Sequence, residues 1–313
     1  MKRLIALILA APLAMAASSS WAACATFTAD SVNVTYNPLG ATGVLGIYQP
    51  LSVTIGRGRS NNGNGNLSNV VGQFMDQGQS SGSVFILNGG PNYDIINLVG
   101  QEVVVHPSSS PLQPGHVFVA NTEDFNDHGH DASAAPVIGL ALLIPPGQDV
   151  AAGVYSEVLD VQYACGNGSP NGNGDVHLQT GVLPINVTVH STLSVNLAGG
   201  GRHGTIDFDT FESLTKSANV QVRSTGPFSL VITAEHNGKM FLLGSSGGAG
   251  QEIPYGLTFN GNAVVLGNSS SFTRTGVGGL SMPLAATVGD VSADRAGKYK
   301  DTLTLVFTPK AAL

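Results

Sequence analysis

An all-β fold is what this sequence predicts, and three observations predict it. Only 11% of the 313 residues are charged and 6% aromatic, where an ordinary globular domain runs at about 25% charged, so the Glu, Lys and Arg that clothe surface helices are missing. Gly (41 residues) and Pro (16 residues) interrupt the chain often. Between the interruptions lie short runs of Val, Ile, Leu and Thr, the pattern of many short strands joined by turns. The length fits about two domains, each large enough to bury a core. A net charge of -7 without a Lys or Arg cluster excludes nucleic acid as a partner, because phosphates demand such clusters.

The first residues carry an export signal. Lys2 and Arg3 form a positive start, Leu4 to Met15 an apolar stretch, and Ser20-Trp21-Ala22 a small-residue cleavage site, so residues 1–22 are expected to be removed after Ala22. A lipobox ending at Cys24 is the rival, and Trp21 stands where such a box wants Leu. No other apolar run reaches the roughly 20 residues of a membrane span. Export makes Cys24 and Cys165 readable as a disulfide in an oxidising compartment, with two free buried thiols as the alternative. The chain-entropy model gives such a closure roughly 4 to 5 kcal/mol.

An internal repeat organises the rest. Ala152-Gly153-Val154-Tyr155-Ser156-Glu157-Val158-Leu159 aligns with Ala296-Gly297-Lys298-Tyr299-Lys300-Asp301-Thr302-Leu303, each a Gly turn feeding a strand. In the second copy Leu303, Leu305 and Phe307 alternate with Thr302 and Thr304, the period of a strand with one face in a core. A weaker match precedes each: Tyr93 with Leu98-Val99-Gly100 and Val103-Val104, and Tyr255 with Phe259-Asn260-Gly261 and Val264-Val265. The first copy is longer by about 18 residues, mostly between His106 and Pro136, and long connections are usually functional or disordered. After its Tyr strand the first copy has a polar turn, Gly166 to Gly174, and a further strand, Val182 to Val189. After Tyr299 only the stretch to Leu313 remains, with Pro309 inside it, so the second domain is expected to lack its final strand.

At these residues the chain resembles the spore coat protein U domain, a family that includes subunits of archaic chaperone-usher pili. Carrying the resemblance are Ala296-Gly297-x-Tyr299-x-Asp301-Thr302-Leu303, Ile253-Pro254-Tyr255-Gly256-Leu257 and Gly226-Pro227-Phe228-Ser229-Leu230. The resemblance implies two immunoglobulin-like β-sandwich domains, residues 23–189 and 190–313, the second lacking its final strand. It implies as partners a periplasmic chaperone, an outer-membrane usher and the N-terminal donor strand of the adjacent subunit, which fills the open groove. That groove is expected between Leu193, Val195 and Leu197 on one strand and Leu303, Leu305 and Phe307 on another. Cleavage before Ala23-Cys24 leaves no alternating apolar tail to donate, which points to a tip adhesin at the cell surface and not a shaft subunit. A structural coat or pilus subunit without specific binding is the alternative.

The remaining motifs are thinner. Phe74, Met75, Leu112, Phe118 and Phe125 lie in or beside Gly-, Ser- and Pro-rich segments, and clustered at loop tips they would form a patch for apolar or host surfaces; the competing reading buries some of them under long loops. His128 and His130 alternate beside Asp127 and Asp131, with His116 able to approach, the residue types of a metal site. A solvated loop competes there, and a secreted metallohydrolase using these histidines is the remote alternative. Arg57-Gly58-Arg59 lacks the context of a phosphate loop and reads as a turn. Neither a Gly-x-Ser-x-Gly nor a His-Glu-x-x-His occurs, so no enzyme and no cofactor is expected.

Overall fold

In the computed structural model, residues 24–40, 45–57, 70–76, 85–87, 89–105, 112, 115–120, 136–165, 176–208, 214–292 and 294–311 are described, and their regular elements are strands. The first eleven are β1 (Ala25–Ala29), β2 (Val32–Tyr36), β3 (Ile47–Arg57), β4 (Val70–Met75), β5 (Phe85–Ile86), β6 (Asn92–Asn97), β7 (Val104–Val105), β8 (Phe118–Ala120), β9 (Val137–Ile144), β10 (Gly153–Cys165) and β11 (Val176–Val189). They make two sheets, β1-β3-β9-β6-β5 and β2-β11-β10-β4-β7, with β8 paired to β4. Alternating residues such as Val53 and Ile55 on β3 and Ile185 and Val187 on β11 meet in one core between the sheets.

A second pair of sheets follows. It is built from β12 (Leu193–Leu197), β13 (Thr215–Ser224), β14 (Phe228–Ala234), β15 (Lys239–Leu242), β16 (Glu252–Phe259), β17 (Asn262–Ala263), β18 (Ser269–Phe272), β19 (Gly276–Val288), β20 (Tyr299–Lys300) and β21 (Leu303–Pro309). One sheet runs β12-β13-β19-β16-β15-β20 with β17 on β16, and the other is only β18-β14-β21. Their core is separate, centred on Val222, Phe228, Ile232, Phe259 and Met282. The chain is all-β, with two β-sandwiches in series.

The repeat seen in the sequence is a repeat of sandwich fasteners. The Tyr155 hydroxyl donates to the Ala151 carbonyl at 2.9 Å, and the Tyr299 hydroxyl to the Arg295 carbonyl at 2.8 Å, four residues upstream in both cases. That is the geometry of an immunoglobulin-type tyrosine corner, which fixes the entry of the chain into the next strand. Two residues on, the carboxylates of the aligned pair Glu157 and Asp301 accept from Tyr93 (3.0 Å) and Tyr255 (2.5 Å). The Tyr93–Glu157 bond ties one sheet of the first sandwich to the other, and the Tyr255–Asp301 bond holds β16 to the residue that leads from β20 into β21. Burial first, and then the neighbouring Glu157 and Asp76 charges, push the Tyr93 hydroxyl pKa well up; burial and the Asp301 hydrogen bond do the same to Tyr255.

Cys24 and Cys165 are bonded, with Cα atoms 6.3 Å apart, so the expected disulfide clamps the start of β1 to the end of β10. Beside it the Gln179 side chain pairs with the backbone of Phe27, donating to its carbonyl at 2.7 Å and accepting from its N–H at 2.8 Å.

The surface patch expected around Phe74 is corrected. Phe74, Met75, Leu112 and Phe118 are 0%, 5%, 3% and 2% exposed. Phe118 packs on Phe27 and Phe74 with ring centres 6.0 and 5.5 Å away. The cause is that β4 lies between β10 and the short strands β7 and β8 and is buried on both faces, so its apolar residues are core whatever the Gly and Ser around them. Phe125, His128, His130 and the segment 58–66 after Arg57 lie outside the described residues, as do residues 1–22.

Candidate functional site

The feature that sets the two sandwiches apart is an edge. In the first, β10 is paired on both sides, with β4 and with β11. In the second, β21 pairs with β14 from Leu303↔Ala234 to Pro309↔Phe228, and among the described residues nothing pairs with its other side. β12 is likewise an edge, paired only with β13.

Strand periodicity decides what these edges show. Leu303, Leu305 and Phe307 stand opposite Ala234, Ile232 and Leu230 and therefore face the core. Phe307 reaches Phe228 and Phe259 with ring centres 6.1 and 6.0 Å away. Leu193, Val195 and Leu197 on β12 pack on the same core. All six are only half-buried, whereas Leu183, Ile185, Val187 and Val189 of β11, which close the corresponding seam of the first sandwich, are at most 3% exposed. The structure thus brings together the six residues assigned to a groove from the sequence. β11 lies against β1 in the first sandwich; in the second, β12 and β21 face each other directly, with Cα atoms within 8 Å in places. A strand seated between two others needs roughly 9 to 10 Å, twice the ladder spacing, so an incoming strand would press β12 outward slightly.

The same sheet is open on its other flank. Between β14, β18 and the β16–β17 hairpin lies a cavity of about 400 Å³ with Leu230, Ile232, Phe259 and Phe272 at its floor and Ser270 and Asn262 at its mouth. No charged side chain lines it.

A second feature, which the sequence reading passed over, is the hairpin between β6 and β7. Asn97 accepts from the Val99 and Gln101 N–H groups through its side chain, the Gly100 N–H donates to the Asn97 carbonyl at 2.9 Å, and Gly100 has φ 78°. This is a turn with Asn at its first and Gly at its last position, and it holds Leu98 and Val99 out in solvent at 81% and 78% exposure. Val137, 61% exposed, starts β9 nearby. The signal was present in the sequence as Asn97-Leu98-Val99-Gly100, read there only as part of the repeat. The tip stands at the start of β9; at the other end of β9, the connection to β10 meets the second sandwich through Asp149 and Ala152.

Among the described residues, one group has metal-ligand composition: Glu235, His236 and Asp301. Asp301 there already accepts from Tyr255, the backbone N–H groups of His236 and Thr302, and lies 3.0 Å from His236 Nδ1. Its oxygens are committed to fastening β21 to the sandwich. His116 is partly buried at the approach to β8, and no metal-binding group includes it among the described residues.

No family model matches the chain, and no curated protein does. Solved structures align along most of the chain. The CsuC–CsuE chaperone–tip adhesion subunit pre-assembly complex from archaic chaperone-usher Csu pili of Acinetobacter baumannii aligns at 14% identity and TM-score 0.40 over 90% of this chain and 100% of that one. The CupB6 tip adhesin of Pseudomonas aeruginosa aligns at 12% and 0.38 over 91% and 95%. The CFA/I adhesin CfaE of enterotoxigenic E. coli aligns at 12% and 0.39 over 90% and 92%.

Proposed function

We propose that this chain is an adhesive subunit at the tip of a chaperone-usher pilus, exported through the periplasm and held in the fibre by a strand that another chain supplies. The observation that carries the reading is the unpaired side of β21 above a half-buried apolar seam, at the place where β11 completes the first sandwich. An edge of this kind leaves backbone N–H and C=O groups open and apolar side chains wet, which favours aggregation unless a strand covers it. Strand addition satisfies the backbone groups and fills alternate side-chain positions at once. In the periplasm a chaperone strand would cover the seam, and an usher would exchange it for the donor strand of the neighbouring subunit.

The closed first sandwich needs no such partner, and its free end carries Leu98 and Val99. In this reading that end meets an apolar or host surface, and attachment is by binding without a reaction. Surface colonisation and biofilm growth would follow from it.

The test uses a strand whose fit is already known. A peptide with the sequence of Val182 to Val189 is added to the full chain, beside a control in which Leu183, Ile185 and Val187 are replaced by Asp. Saturable binding of the first peptide alone, with melting of the second sandwich raised by more than about 10 °C, is expected; burying ~500 Å² of apolar seam at ~25 cal/mol per Å² is worth on the order of 12 kcal/mol before ordering entropy is subtracted. A chain that is monomeric and stable, and indifferent to both peptides, would overturn the proposal.

A further inference from the structure

The two sandwiches are joined by only three residues, His190, Ser191 and Thr192, between β11 and β12. A link so short and polar would ordinarily hinge. Here it is held from both sides.

Thr225, in the turn between β13 and β14, is fully buried. Its hydroxyl donates to the His190 carbonyl at 2.7 Å and accepts from the Thr192 N–H at 2.8 Å. Its own N–H donates to the Thr192 carbonyl at 3.1 Å, and its carbonyl accepts from the Ala152 N–H of the first sandwich at 2.7 Å. One residue thus bonds to the first and last members of the link and to the body on the far side of it. Thr192 extends the stitch, its hydroxyl bonding Asn37 of the first sandwich at 3.1 Å. Gly226 follows because a Cβ there would stand 2.6 Å from Ser191 Oγ and 3.4 Å from the Ala152 Cβ.

A second contact lies off the axis of the link. Asp149, on the β9–β10 connection, accepts from the Arg274 guanidinium and from the Val277 N–H, the latter at 3.0 Å. Gly276 (φ 78°) leaves the slot: a Cβ there would fall 2.8 Å from the Asp149 carboxylate. Both sides are stiff. Gln148 beside Asp149 bonds Asn92 in both directions and the Pro145 carbonyl, and its N–H donates to the buried Tyr36 hydroxyl. On the other side the Thr275 N–H donates to Ser224 Oγ at 2.9 Å, and the Thr275 hydroxyl donates to the Val222 carbonyl.

We infer that the junction is a two-point lock that makes the two sandwiches one rigid body, Thr225 pinning the link and Asp149 stopping rotation about it. One fastener on the axis leaves torsion free; a second at a distance from it removes that freedom. The exposed ion pair is weak by itself in water, so the buried Thr225 bonds hold the joint and Asp149 sets its angle. The inference does not depend on adhesion: a rigid joint is required of the geometry whatever the free end touches.

Spin labels report it. Val158 on β10 and Leu280 on β19 are exposed, one on each sandwich, and cysteines there carry nitroxides while Cys24 and Cys165 stay bonded. Pulsed dipolar spectroscopy on the full chain should give one narrow distance distribution. Asp149→Ala should broaden it, Thr225→Ala should broaden it more, and the double substitution most, while Thr225→Ser, which keeps the hydroxyl, should match the unsubstituted chain. Melting curves verify that each variant remains folded; Asp149→Ala alone changes an exposed side chain and keeps the test open if Thr225→Ala does not fold. A broad distribution in the unsubstituted chain, or one left equally narrow by Asp149→Ala and the double variant, overturns the lock.

Discussion

β10 and β21 are fastened alike, each by a tyrosine that bonds four residues back and, two residues on, a carboxylate that takes a second tyrosine's hydroxyl. From there they diverge. β10 is 13 residues long with a neighbour on each side, while β21 is 7 long beside one. The first sandwich has a wholly buried seam and the second a half-buried one. The comparison teaches that the fasteners and the closing strand are separate devices: the corner and the bridge orient a strand in its sheet but do not dry the groove beside it.

The largest effect that sharpens this contrast comes from matched core truncations. Phe118→Ala in the first sandwich should cost about 3 to 5 kcal/mol, because that ring is buried against Phe27 and Phe74. Phe307→Ala should cost about half as much in the open chain, since its ring is only partly out of water; with a strand seated in the groove its cost should rise toward that of Phe118. Calorimetry with and without peptide measures both, and equal costs in the open chain would break the comparison.

Next in size is the disulfide, which only the first sandwich has. Reduction, or Cys24→Ser with Cys165→Ser, should remove about 2 to 5 kcal/mol from the first sandwich and leave the melting of the second unchanged. Thiol titration of the unfolded, unreduced chain should find no free thiol, in keeping with the bond.

Tyr93→Phe and Tyr255→Phe compare the two bridges. Each removes a hydrogen bond to a carboxylate, worth about 1.5 to 3 kcal/mol, and Tyr93 should lose more because its ring is fully buried while that of Tyr255 is only partly so. The pH dependence has a definite sign. An unfolded tyrosine ionises near pH 10, and the fold holds Tyr93 protonated beyond that by burial, then by Glu157 and Asp76. Its contribution is therefore full below about pH 10 and is lost as pH rises above it. Stability should fall on going from pH 9 to 11, and Tyr93→Phe should flatten that fall.

The smallest effect on stability belongs to the exposed hairpin. Leu98→Asp with Val99→Asp should change folding by no more than ~0.5 kcal/mol, yet lower attachment to apolar plastic severalfold. Attachment that survives with an unchanged melt would remove the hairpin from the proposed adhesive surface.

What could be read in the sequence was whatever depends on near neighbours. The Gly turns feeding the strands at Gly153-x-Tyr155 and Gly297-x-Tyr299 were legible as a local repeat, while the hydrogen bonds of their tyrosines were not. That Leu303, Leu305 and Phe307 face the core was legible because alternation survives in any strand. Phe74 and Phe118 were misread because composition around a residue says little about what covers it: Phe118 packs on Phe27 of β1, about 90 residues away, in a core that Phe74 shares. Thr225 and Asp149 carry no motif, and their partners lie across the junction: the link and Ala152 for Thr225, Arg274 and Val277 for Asp149.

The disulfide has a further consequence, for damage by proteases. Bonding Cys24 to Cys165 across a sequence separation of 141 makes everything between them a closed covalent loop, and the Leu98–Val99 tip sits roughly midway around it. A single cut anywhere in that loop leaves the tip attached by the other arm. Two cuts, or one cut and a reductant, are needed to shed it, and a nicked chain should run as two pieces on a gel only after reduction.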